Sequence, residues 1–259
     1  MKKKVIYEQP LSDPMKNFLR LEYLFEDIVY HLKGPSEWDS RAVINRYIEI
    51  NEFLNRFDFK TALIRDLTIH AKHLAQWQRT PEVDSSRLND LLTQTTIIID
   101  KLGKVDTNGD KYSLQQKLIH LVQKRRAILG GTSRSDLPGF YYWLQKGPKQ
   151  RQSELSKWLE PYEPLHEALE LNLYFIRNNA VVSQEVALGG FFQSKLENTN
   201  VAYQMIQVMM PIEHTCYPEI NGGKQRFTIR FFEQQTNEQP LQSEIDIKFE
   251  LGCCITSFE

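Results

Sequence analysis

The segment KQRFTIRF, residues 224–231, alternates strictly. In a strand, Lys224, Arg226, Thr228 and Arg230 fall on one face and Gln225, Phe227, Ile229 and Phe231 on the other. Such a segment buries its aromatic side and shows solvent a row of cations. The net charge of the 259-residue chain is −1, so the row is a local feature. It is built to meet something anionic, and two partners fit. One is internal: Glu244, Asp246 and Glu250 line the outward face of a following strand, and a hairpin would set the two rows side by side. The other is external. Exposed ion pairs contribute only about 0–1 kcal/mol, a weak reason for such a row. A second basic cluster, Lys117, His120, Lys124, Arg125 and Arg126, also lies in the helical region.

Other groupings approach reactive sites without completing one. Asp106, Asn108 and Asp110 take the first, third and fifth places of a calcium loop, but its glycine is misplaced at Gly109 and Lys117 stands where the bidentate glutamate belongs. Gly130-Gly131-Thr132-Ser133 lacks the Gly-Lys-Ser/Thr ending of a phosphate cradle and follows a helix, so it reads as a helix C-cap. His70 and His73, with Asp66 a turn back, are spaced to face one metal, but no second ligand pair is evident and catalytic zinc wants three protein ligands. Cys253 and Cys254, even with Cys216 and His214, point to opposite faces of one strand. There is no G-x-S-x-G elbow and no G-x-G-x-x-G after a strand. The residues point to no catalytic centre, no metal and no cofactor. Three cysteines form no disulfide framework and suit a reducing compartment. The basic N-terminus runs into Glu8, Gln9 and Pro10 with no apolar h-region, and no run approaches the roughly 20 apolar residues of a span. The expectation is a soluble cytoplasmic protein without a membrane partner.

The elements that must position these residues fall into two regimes. Helical periodicity runs from about residue 13 to 179. Asp13-Pro14 reads as a cap and first turn, Phe18, Leu21, Phe25 and Ile28 as a core stripe, and Gly34-Pro35 as a stop. Further helices read at about 39–57, 61–77, 85–103, 113–126, 150–159 and 163–178, with a short aromatic-rich one in DLPGFYYWL. Then the period becomes two: strands read at 186–193, 201–210, 224–232 and 244–251, the last with Ile245, Ile247, Phe249 and Leu251 inward. KKVIYE near the N-terminus is able to add an edge strand. The fold class is α+β, an N-terminal helical bundle-like domain plus a C-terminal antiparallel β domain whose sheet has one solvated face. The mainly helical domain takes residues 1–181, with 3–8 as the candidate edge strand. The β domain takes 182–254 and a C-terminal extension 255–259.

Four stretches carry a family resemblance. They are EQPLSDPMKNFLRLEYLF (8–25), Gly-Gly followed by SDLPGFYYWL (130–144), YPEINGGKQRFTIRF (217–231) and FELGCC (249–254). Together they resemble the ZapD family, bacterial cell division proteins associated with the tubulin-like protein FtsZ. The resemblance implies a homodimer that binds the C-terminal tail of FtsZ and bridges protofilaments into bundles at the cytoplasmic mid-cell division ring. It implies no catalysis and no cofactor. By position, Arg20, Arg56, Arg226 and Arg230 match basic family positions, and Lys117 stands where an arginine is usual, keeping charge but losing the bidentate fork. Lys224 aligns with a basic position and also follows from the strand geometry. Tyr141 stands where the family has an implicated histidine. The alternative is a nucleic-acid-binding adaptor using the same patch; near-neutral overall charge and few aromatics on the cationic face disfavour it.

Overall fold

Apolar residues at helical spacing form α1 (Asp13–Leu32), with Phe18, Leu21, Phe25 and Ile28 buried along one stripe. This computed structural model describes residues 3–77, 85–105, 115–196, 201–223, 225–233 and 239–258. The cap of α1 is Ser12, not Asp13: its hydroxyl accepts from the Met15 amide at 3.3 Å, leaving Asp13 as a first-turn acid. Next come α2 (Glu37–Leu54), α3 (Phe59–Trp77), α4 (Ser85–Lys104) and α5 (Gln115–Arg126). They are followed by α6 (Pro138–Leu144), α7 (Pro148–Leu159), a 3-10 turn (Glu160–Tyr162) and α8 (Glu163–Asn178). A reciprocal Ser36–Asp39 capping box starts α2.

The chain divides into two compact units. One holds Arg20–Leu67 and Asp90–Glu170. Within it, α6 and α7 are locked by aromatic stacking of Trp143 on Trp158 at 5.5 Å and by the buried Arg151. The Arg151 guanidinium donates to Ser40 Oγ (2.9 Å) and to the carbonyls of Leu144 (2.8 Å), Pro35 (2.7 Å) and Lys146.

The other unit holds Met1–Leu19, Thr68–Asn89 and Leu171–Glu259. Its strands are β1 (Lys4–Pro10), β2 (Ala180–Ala187), β3 (Phe191–Lys195), β4 (Val201–Pro211), β5 (Cys216–Gly222), β6 (Arg226–Glu233), β7 (Leu241–Gln242) and β8 (Ile247–Phe258). They make two antiparallel sheets, β1-β4-β8-β2 and β3-β6-β5, with β7 pairing β6. Ile206, Val208, Phe249 and Leu251 of the first sheet and Phe227, Ile229 and Phe231 of the second fill one shared core. The first sheet is buried on its other side as well, at Met205, Gln207, Cys254 and Thr256. Arg177 of α8 ties it down by bonding both Glu8 oxygens at 2.9 and 2.8 Å.

Several strand expectations are corrected. One sheet with one solvated face is in fact a two-sheet sandwich. The expected strand at 186–193 is two strands in different sheets, because Gly189 and Gly190 take φ of 52° and 70° and turn the chain. β5 was not read as a strand. β8 begins at Ile247, so Ile245 is 65% exposed, and it continues through residues 255–258. The hairpin between the strands carrying Arg226 and Glu250 does not form. Their aromatic faces meet across the sandwich, with Phe231 and Phe249 at 5.3 Å, so their charged rows point in opposite directions.

Candidate binding surface

Alternation along β6 turns Arg226, Thr228 and Arg230 out of the second sheet. Antiparallel pairing sets neighbours beside each. Lys195 stands opposite Arg226, Gln193 and Asn221 flank Thr228, and Phe191 and Glu219 flank Arg230. These side chains form the solvent-facing side of a small grid. Over it lies an open groove of about 730 Å³, lined by Phe191, Gln193, Asn221, Gly222, Gly223, Gln225, Arg226, Phe227, Thr228 and Arg230.

Both arginines are exposed, and neither has an ion-pair partner among the described residues. The acids expected to consume them are elsewhere. Glu250 is held by the Lys4 ammonium at 2.7 Å, which with the Gln184 amide keeps its carboxyl below the usual glutamate range. Asp246 accepts from the Gly189 amide at 2.9 Å, and Glu244 is exposed in the connection before β8. The Arg230 guanidinium instead lies 5.9 Å from the Phe191 ring centroid.

The remaining predicted site residues are carried by other elements. Arg20 is exposed on α1 and has no ion pair among the described residues. Arg56 is exposed just past the Asn55 C-cap of α2, and Lys117 is exposed in the first turn of α5. These three stand on separate segments of the helical unit. Lys224 lies outside the described residues, as does the loop at 106–112. Within the basic cluster of α5, Arg126 is spoken for by Glu52 at 2.8 Å, while Lys124 and Arg125 are exposed. Tyr141 sits under the Arg134 guanidinium at 5.4 Å.

His70 is buried against Phe175. Cys253 packs toward the sandwich core while Cys254 is buried on the opposite face, where burial pushes its thiol up to about 12. Cys216 Sγ lies 3.7 Å from His214 Nδ1. Among the described residues no three His, Cys, Asp or Glu side chains gather at a metal-sized point. Among the described residues, the lining of the groove contains no histidine, cysteine or carboxylate.

What this surface offers is guanidinium forks for carboxylates, amides able to bond a peptide backbone and one exposed aromatic ring. Phe191, Gln193, Lys195 and Asn221 escaped the sequence reading. For the first three the signal was the alternation of FFQSK directly after the Gly-Gly turn; Asn221 belongs to β5, CYPEING.

A helical unit and a β-sandwich unit with an open cationic groove make up an α+β protein. The family model of ZapD, described as a cell division protein, matches residues 19–230. The cell division protein ZapD of Methylococcus capsulatus is 35% identical over 255 residues, covering 98% of this chain and 100% of that one. Those of Klebsiella pneumoniae and Coxiella burnetii are 30% and 31% identical over 250 and 252 residues, each covering 96% of this chain and 98% and 97% of theirs. The chain belongs to the ZapD family of cell division proteins.

Proposed function

We propose that the chain works in cell division without catalysis, as a homodimer that binds the C-terminal tail of FtsZ and crosslinks FtsZ protofilaments into bundles at the cytoplasmic mid-cell ring. The tail contacts are Arg226 and Arg230, joined by Lys224 and by the helix-borne Arg20, Arg56 and Lys117. One observation carries this reading: two exposed arginines lie four residues apart in one groove, and neither has an ion-pair partner among the described residues. Membership of a cell division family supports the process, and the guanidinium and amide groups in the described lining of the groove support a binding role. A symmetric dimer presents two equivalent sites, which suffices to bridge neighbouring filaments.

The test is co-sedimentation with FtsZ filaments. Arg226→Glu with Arg230→Glu abolishes co-sedimentation and bundling, while thermal unfolding stays near that of the parent because both side chains are exposed. Binding by the parent weakens as salt shortens the Debye length. Bundling retained by the double variant overturns the assignment.

A further inference from the structure

The two ends of the groove differ. At one end the register puts Lys195 directly opposite Arg226. Like charges facing each other across a ladder destabilise it. Both are exposed, and neither has an ion-pair partner among the described residues. Among the described residues nothing compensates that electrostatic cost, and a bound anion would. At the other end Arg230 faces Glu219 across one strand and Phe191 across the other, and its guanidinium lies by the ring. Its guanidinium thus shares this end with an aromatic ring rather than with a second cation, and Phe191 shows 37% of its surface to solvent. Between the ends runs the neutral row Gln193, Thr228 and Asn221.

We infer that the groove reads a peptide in one direction: the Lys195–Arg226 end is a carboxylate site, and the Phe191–Arg230 end takes an apolar side chain. Arg226 and Arg230 are four strand residues apart, about 13 Å. The ligand is therefore an extended segment with an acidic side chain and an apolar one about four residues apart. The amides of Gln193 and Asn221 are placed to bond its backbone midway. This deepens the tail-binding reading and rests on it for the identity of the natural peptide, while the chemistry of the groove stands on the register alone. Lys195 and Phe191 join the arginines as specificity-determining contacts.

The experiment uses the full chain and two fluorescent probes: the FtsZ C-terminal tail peptide, and a synthetic peptide of about nine residues with Asp and Phe four positions apart. Binding is followed by anisotropy for the parent, Lys195→Gln, Lys195→Glu, Phe191→Ala and Phe191→Leu. Peptides with Asp→Asn or Phe→Ala complete double-mutant cycles. Lys195→Glu lowers affinity about tenfold or more and flattens the salt dependence. Phe191→Ala lowers it about fivefold with the salt dependence unchanged, and Phe191→Leu restores most of the loss. The peptide Asp couples to Lys195 and the peptide Phe to Phe191, without cross-coupling. Lys195→Gln unfolds no earlier than the parent, whereas a lysine with a structural role would lower the melting temperature.

If both probes bind indifferently to Lys195 and Phe191, or if the couplings cross, the directional groove is overturned while tail binding stands. If the synthetic peptide binds with the expected couplings and the tail peptide does not bind, the FtsZ assignment falls and the groove inference stands. If neither binds, both fall.

Discussion

Arg151 and Arg226 are the same side chain in opposite circumstances. Arg151 is 4% exposed and spends its guanidinium on Ser40 Oγ and three backbone carbonyls. Arg226 faces solvent without an ion-pair partner among the described residues. Replacing the first strips acceptors that water cannot reach, so Arg151→Met is expected to cost about 3 kcal/mol in urea unfolding. Arg151→Lys recovers little, since an ammonium lacks the planar fork; a loss under about 1 kcal/mol would refute the clasp. His70 makes a pH prediction. It packs at 4.8 Å on Phe175, and Asn172 approaches without a well-formed hydrogen bond. Burial lowers its pKa from 6.5 to about 4. Between these values the unfolded chain holds the extra proton, so stability falls as pH drops from 6.5 to about 4 and levels off below. The full drop is about 3 kcal/mol. His70→Phe should remove this slope in denaturation curves at pH 7 and 4.5, and an unchanged slope would show that His70 is not its source.

At the scale of elements, the helices were legible because their signals are local: apolar spacing and the Gly34-Pro35 stop. Gly130-Gly131 is not the expected cap, since α5 ends at Arg126 and Gly130 takes its φ of 69° in a later turn. Strands were legible as faces but not as neighbours. Alternation in residues 224–231 says which side is buried, and so it revealed Arg226 and Arg230. It is silent on which strand lies alongside, because pairing is decided by the shared core. Lys195 and Phe191 reach the groove only through that pairing, across some thirty to forty residues of sequence. β5 was missed because Pro218 and Gly222 weaken its pattern; a proline is tolerated there since β5 is an edge strand. The Gly189-Gly190 turn decides the geometry of β3. A Cβ on Gly190 would meet the Ser243 carbonyl oxygen at 2.2 Å, at φ of +70°, while the Gly190 carbonyl accepts from Phe231 N at 2.9 Å. Gly190→Ala is therefore expected to destabilise by about 2–4 kcal/mol and to weaken peptide binding by displacing Phe191. A thermal melt within error of the parent would show that the turn yields cheaply.

At the scale of the whole molecule, binding and bundling make different demands on the proposed homodimer. Binding a tail takes one intact groove, whereas bridging two filaments takes two on the same particle. Co-expressing the parent with the Arg226→Glu, Arg230→Glu chain, under tags that report composition, gives dimers assorted by chance. At equal expression about half of all grooves remain, but only about a quarter of dimers keep both. Tail-peptide capacity is then expected to fall in proportion to the variant fraction, and light scattering by FtsZ bundles as the square of the parent fraction. The two measurements on one series of mixtures separate the possibilities without knowledge of the dimer interface. Bundling that falls only linearly means that each chain bridges filaments by itself, with the helix-borne cations as a second attachment. In that case Arg20, Arg56 and Lys117 become the residues to reverse, and the dimer is not the crosslinker.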